Sequence, residues 1–155
     1  MDDEQRFRTF VRAVERRVWL ALVSELGPDG ADDAVAQGLA HAWQHWGRVS
    51  AMANPAGYVY RVAQRAGRDA ATRRARTYPL VSPGAARLPD VEPELAAALA
   101  TLSPNQRRAV FLIEACGWTL ADAADLLDVS VSTLRNHVAR GMAGLRKHLE
   151  VELDA

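Results

Sequence analysis

The sequence predicts an all-α protein built from two small helical domains joined by a proline-rich linker. Three observations carry this. Apolar residues recur every three or four positions through most of the chain, as one buried stripe of an amphipathic helix requires. No stretch alternates apolar and polar residues in the manner of a half-buried strand. Between Thr77 and Pro93 the helical period lapses while prolines crowd in at positions 79, 83, 89 and 93, beside a glycine and a serine. That composition suits an extended connection. The expected division is therefore 1–76, a linker over 77–93, and 94–150.

The first helix is marked by Phe7, Val11, Val14, Val18, Leu22 and Leu26, and Gly27-Pro28-Asp29-Gly30 is expected to end it. A second runs from about Asp32 to Trp46, with Val35, Leu39, Ala42, Trp43 and Trp46 as candidate buried positions. Asp32 and Asp33 suit its positive N-terminal end. Asn54-Pro55 opens a third, because asparagine caps well and proline at the first helical position gives up no needed donor. It should continue to about Arg76. Beyond the linker come a short helix over Glu94 to Thr101 and another opened by Ser103-Pro104-Asn105-Gln106, where serine and glutamine have capping-box spacing. Gly117 ends that one.

Composition narrows the function classes. The 155 residues are 49% apolar and 25% charged, a globular balance, with no uninterrupted apolar run of about 18 residues. No membrane insertion is expected. The start, Met1-Asp2-Asp3-Glu4, lacks the basic-then-apolar order of a secretory signal, and the single Cys116 cannot form an internal disulfide. Both fit a cytoplasmic protein. The formal net charge is +0, but its distribution is uneven. Arg61 to Arg76 holds six arginines against the single acid Asp69, and Val129 to Leu149 carries Arg135, Arg140, Arg146 and Lys147 with no acid. Acids collect around 25–33 and 90–94. A chain so divided can hold DNA with one surface and a protein partner with another.

Function is most legible near the C-terminus. Thr119 to Leu127 reads as a short helix with Thr119 and Asp122 at capping-box spacing. Asp128-Val129 then makes a tight turn, and Ser130 caps a longer helix. This is helix-turn-helix grammar. Ala124 is small where the helices must cross, and Leu120, Leu127, Val129 and Leu134 are placed to bury the junction. Along the longer helix Leu134, Val138, Met142, Leu145 and Leu149 form one face. Ser132, Arg135, Asn136, Ala139, Arg140 and Ala143 form the other. That second face suits a major-groove reader: arginine bonds guanine bidentately, asparagine bonds adenine, and alanine packs on a thymine methyl.

Other constellations are set aside. His41 and His45 have the i, i+4 spacing of helical zinc ligands, but Ala42 stands where a metalloprotease carries its glutamate and no third ligand stands out. Cys116 follows an apolar run and reads as a small buried residue. Asp32 and Asp33 are neighbours on a helix and point apart, so they form no catalytic dyad. No phosphate-binding glycine loop occurs. The expectation is no catalytic residue, no metal and no cofactor.

With these residues in view, the chain resembles the extracytoplasmic-function sigma factors, the compact promoter-recognition subunits of bacterial RNA polymerase. In the C-terminal half the resemblance rests on Leu102-Ser103-Pro104-Asn105-Gln106-Arg107-Arg108, Gly117-Trp118-Thr119, Val129-Ser130-Val131-Ser132-Thr133-Leu134, Arg140-Gly141-Met142 and Leu145-Arg146. These look like the family's fourth conserved region, which binds the minus-35 element. In the N-terminal half, Asp32-Asp33-Ala34-Val35 leading to Trp43, then Asn54-Pro55-Ala56-Gly57-Tyr58-Val59-Tyr60-Arg61-Val62-Ala63 and the arginine block, look like the second conserved region. Where the family has a leucine, a glutamine and an acid in the clamp-binding helix, this chain has Ala34, Ala36 and Gln37, followed by Gly38. Asp128 stands in place of the usual turn glycine.

The resemblance implies roles residue by residue. Arg135, Asn136, Ala139 and Arg140, with Ser132 and Thr133 at the start of the helix, would contact the minus-35 element. Asn54, Tyr58, Tyr60, Arg61, Arg65, Arg68, Arg73 and Arg74 would open and hold the minus-10 element, aromatics stacking on unpaired bases and arginines neutralising phosphates. Asp33, Gln37 and Trp43 would dock on the polymerase clamp. Core RNA polymerase, promoter DNA and an anti-sigma factor are the implied partners. The alternative at this point is a helix-turn-helix regulator, or a sigma-like protein that binds DNA or protein without driving transcription.

Overall fold

The computed structural model describes residues 1–77 and 92–153. Its contacts group the chain into two compact units, Met1–Leu88 and Pro89–Ala155. The expected linker lies almost wholly outside the described residues. Among those residues every regular element is a helix.

In the N-terminal unit, α1 spans Asp3–Gln44 and is interrupted once. Asp2 caps it, its carboxylate accepting from the Gln5 N–H at 2.8 Å. The interruption is narrower than the four-residue stop read from the sequence. Gly27 alone leaves helical geometry, at φ 74° and ψ 168°, a conformation glycine reaches without a steric penalty. Pro28 then restarts the helix, since its fixed φ and missing N–H suit a first helical position. Asp32 is therefore not the helix start. It lies a turn further in, where it accepts from Trp19 Nε1 at 2.7 Å and ties the second arm of α1 to the first.

The second arm stops at Gln44, and Trp46 begins a separate single turn, α2 (Trp46–Val49). α3 (Pro55–Thr77) follows, capped by Asn54, whose side-chain oxygen accepts from the Gly57 N–H at 2.8 Å. Val14, Val18 and Leu22 from the first arm, Ala31, Ala34, Val35 and Ala42 from the second, Val49 from α2, and Val59, Tyr60 and Ala63 from α3 make the core. Small residues let α1 and α3 meet closely. A Cβ on Gly38 would lie 2.9 Å from the Val59 carbonyl oxygen and 3.1 Å from the Ala63 Cβ. Trp43, expected to be buried, is 45% exposed. Phe7 takes one side of it, at 5.0 Å between centroids, while Trp46 goes inward against Phe7 and Phe10.

The C-terminal unit comprises α4 (Pro93–Ala100), α5 (Pro104–Val110) with a π-helical turn over Phe111–Ala115, α6 (Leu120–Leu127) and α7 (Val131–Leu153). The capping box at Ser103 and Gln106 is formed in both directions. The π turn, invisible in the sequence pattern, inserts one residue into the helix that leads to Gly117. Ala98, Leu102, Val110 and Leu145 are buried together, with Leu99, Met142 and Leu149 packed against them.

Candidate nucleic-acid and partner interfaces

The helix-turn-helix is held by local chemistry at each joint. Thr119 accepts from the Asp122 N–H at 3.1 Å and opens α6. At its other end Asp128 adopts the left-handed conformation, φ 54° and ψ 46°, and Val129 N–H returns to the Ala124 carbonyl at 3.0 Å. Ser130 then caps α7, accepting from the Thr133 N–H at 3.1 Å while its hydroxyl reaches that of Thr133 at 2.9 Å. Ala123, Ala124 and Leu134 are buried at the crossing. Behind them α7 is pinned to α5, since a Cβ on Gly141 would come 2.5 Å from Val110 Cγ2 and 3.3 Å from the Gln106 carbonyl.

This anchoring fixes the rotation of α7 about its axis. Leu134 and Leu145 are buried, and Val138, Met142 and Leu149 are half-buried. Ser132, Arg135, Asn136, Ala139, Arg140 and Ala143 are all exposed, and Thr133 is half-buried at the cap. The polar face picked out by periodicity is thus one continuous outward surface. Among the described residues neither Arg135 nor Arg140 has an ion pair, so both guanidiniums are available.

One anchor was missed in the sequence. Arg107 turns back onto the end of α4, donating from Nε to the Leu99 carbonyl at 3.0 Å and from Nη2 to those of Ala100 and Leu102 at 3.5 and 3.2 Å. A cation among orphan carbonyls at a helix C-terminus is the available signal, but Arg107 sits in the next helix.

On the N-terminal unit the expected minus-10 residues separate. At about 100° per residue Tyr58, Arg61, Arg65 and Arg68 form one stripe of α3. The three arginines are exposed and Tyr58 is half-buried. Tyr60 lies on the opposite side, about 200° round from Tyr58. It is 5% exposed, packed in the core with its hydroxyl accepting from Gln64 Nε2 at 3.1 Å, so its ring is not on the arginine surface. Tyr58 has company of its own: His41 stacks on it at 5.9 Å and 14°, and Arg48 lies 6.0 Å from the ring centroid and 3.4 Å from the hydroxyl. Asn54 is committed to capping α3. Arg73 and Arg74 lie in the last stretch of α3, residues 71–77, which is exposed all round.

Arg68 is held by an acid from the first arm of α1. Its Nε donates to Glu25 Oε1 at 2.5 Å, and Gln64 donates to the other oxygen of the same carboxylate at 3.1 Å. The hydrogen bond to Glu25 raises the Arg68 pKa above its ordinary value, against a smaller opposing effect of burial.

Asp33 and Gln37 are exposed on one face of the second arm of α1, and Trp43 shows its free side about a third of a turn away from Gln37. The His41 and His45 rings meet at 4.6 Å. Among the described residues no group of three or more histidine, cysteine or acidic side chains is placed to hold a metal. No helix there is long and apolar enough to cross a membrane.

Residues 93–145 match the family described as sigma-70, region 4, a span that runs from the start of α4 through most of α7. The whole chain is similar to the ECF RNA polymerase sigma factor SigM of Mycobacterium tuberculosis, in strains Erdman and H37Rv. Identity is 31% over 153 residues, covering 94% of this chain and 76% of the relative. The chain is an extracytoplasmic-function sigma factor. Like the family it directs RNA polymerase to promoters for transcription initiation.

The fold of this sigma factor agrees with solved structures. The sigma factor RpoE, in complex with the anti-sigma factor NepR from Bartonella quintana, superposes with a TM-score of 0.65 at 22% identity, over 95% of this chain and 98% of RpoE. CnrH, in complex with the cytosolic domain of CnrY, gives 0.56 at 19% identity, over 96% and 90% of the two chains.

Proposed function

We propose that this sigma factor reads the minus-35 element with the outward face of α7. Arg135, Asn136, Ala139 and Arg140 contact base edges, and the Ser132 and Thr133 hydroxyls lie at the phosphates beside the helix start. The N-terminal unit, 1–76, holds the minus-10 element with Tyr58, Arg61 and Arg65 on α3 and with Arg73 and Arg74 at its end. Asp33, Gln37 and Trp43 dock on the polymerase clamp. Residues 77–93 link the two DNA contacts, so that each raises the effective concentration of the other. The factor works in the cytoplasm and supplies targeting and strand opening, and the polymerase supplies the chemistry. An anti-sigma factor, like the one solved with RpoE, restrains it.

The observation that carries this reading is the rotation of α7. Every base-reading candidate is exposed, and the residues on the other face of the helix are buried or half-buried. Pull-down with core polymerase followed by run-off transcription tests it. Polymerase association with promoter-dependent transcripts, both lost in a D33A/Q37A/W43A variant, is the expected result. DNA binding without polymerase association would instead favour a helix-turn-helix regulator that does not drive transcription.

A further inference from the structure

From the contact between Arg68 and Glu25 we infer that Glu25 withholds one arginine from DNA and so sets the phosphate affinity of the N-terminal unit. This rests on the reading of α3 as a DNA-binding helix. Arg61, Arg65 and Arg68 follow one another by four and then three residues, an axial rise of about 6 and 4.5 Å along one stripe. That is a track along which successive phosphates of one strand are reached in turn. Arg61 and Arg65 face solvent on it.

Arg68 occupies the third place and is engaged by a residue 43 positions away in sequence, in the first arm of α1. The Glu25 carboxylate takes the Arg68 guanidinium on one oxygen and the Gln64 amide on the other, so it is oriented from two sides. With side chains 58% and 35% exposed, the pair is not buried for the sake of the core. A surface pair of this kind adds little stability. Its electrostatic effect is larger: it cancels one positive charge on the track and puts carboxylate oxygens where a phosphate oxygen would sit.

The consequence is a minus-10 grip weaker than it would be with Arg68 released. Stable attachment then depends on simultaneous engagement of the C-terminal unit, which favours sites carrying both promoter elements over any stretch of opened DNA.

The salt dependence of binding counts phosphate contacts, at about 0.7 in log–log slope per contact for single strands. The probe is a fluorescein-labelled 20-nucleotide single strand of mixed sequence, titrated with the full chain at several salt concentrations. Glu25→Gln keeps the shape and the Gln64 neighbour but removes the charge. It is expected to bind about 3- to 10-fold more tightly at low salt, with a slope steeper by about 0.7. Adding Arg68→Ala to Glu25→Gln should return both readings to wild type. Unchanged slope and affinity in Glu25→Gln, with circular dichroism showing an intact fold, would overturn the inference, as would weaker binding. Arg61→Ala/Arg65→Ala separates the two levels. If that variant binds like wild type, α3 does not hold DNA and both readings fall; if it binds weakly while Glu25→Gln is silent, only the role of Glu25 falls.

Discussion

Gly38 lies against the backbone of Val59, so close that a Cβ at position 38 would sit 2.9 Å from the Val59 carbonyl oxygen. In an exposed helix interior, Gly→Ala gains about 1 kcal/mol of helix propensity. Here the clash is with backbone that cannot swing aside, and overpacking costs about 1 to 3 kcal/mol. Gly38→Ala is therefore expected to destabilise the N-terminal unit by about 1 kcal/mol net. Its thermal unfolding, followed by circular dichroism, should move down by about 4 to 8 °C. An upward shift would mean that α1 and α3 do not cross here.

Asp128 makes the opposite prediction. It is the one non-glycine residue at positive φ among the described residues, in the turn between α6 and α7. Replacing it with glycine removes a side chain from a left-handed backbone and should stabilise the C-terminal unit by about 0.5 to 1 kcal/mol. Alanine has neither freedom nor a side chain that bonds locally, and Asp128→Ala should cost a similar amount. Paired urea melts of the two variants would show midpoints moving in opposite directions.

Arg107 bridges α5 to three carbonyls at the end of α4. Arg107→Ala leaves those acceptors to water and should destabilise the C-terminal unit by about 1 to 2 kcal/mol, less than a buried charged bond because the site is exposed. Lysine should recover only part of this, since an ammonium cannot reproduce the guanidinium fork. Full recovery by Arg107→Lys in a denaturant melt would show that charge alone suffices.

On α7 the prediction concerns selectivity. Arg135→Ala and Arg140→Ala should each cost about 1 to 3 kcal/mol in binding, confined to particular base pairs of the minus-35 element. Competition between single-base variants of a promoter located by transcript mapping reads this out. A loss equal across all variants, with a salt slope shallower by about 1, would reassign that arginine to a phosphate.

Much of the architecture was legible because its signals are local. The Ser103 box, the Asn54 and Thr119 caps and the Ser130 turn each involve residues within four positions of one another, and all form as expected. Periodicity also gave the correct two faces of α7. The same period separates Tyr58 from Tyr60. Two residues apart on a helix, they point to opposite sides, so the arginines at 61 and 65 already implied that only Tyr58 could share their surface. Gly27-Pro28-Asp29-Gly30 reads as a loop by composition, yet only one residue leaves the helix, because proline at a first helical position continues what it would break elsewhere.

The sequence by itself determined the all-helical class, most of the helix boundaries and the polar face of α7, because caps, prolines and a 3.6-residue period act over one or two turns. Only the tertiary structure decided which exposed charges are free. Arg65 and Arg68 are indistinguishable in the local pattern, but Glu25, 43 residues away, bonds Arg68. It likewise revealed that Gly38 and Gly141 are sites of close helix contact and that Trp43 shows one side to solvent. Such properties belong to pairs of elements brought together by burying a shared core, and no periodicity within either element contains them.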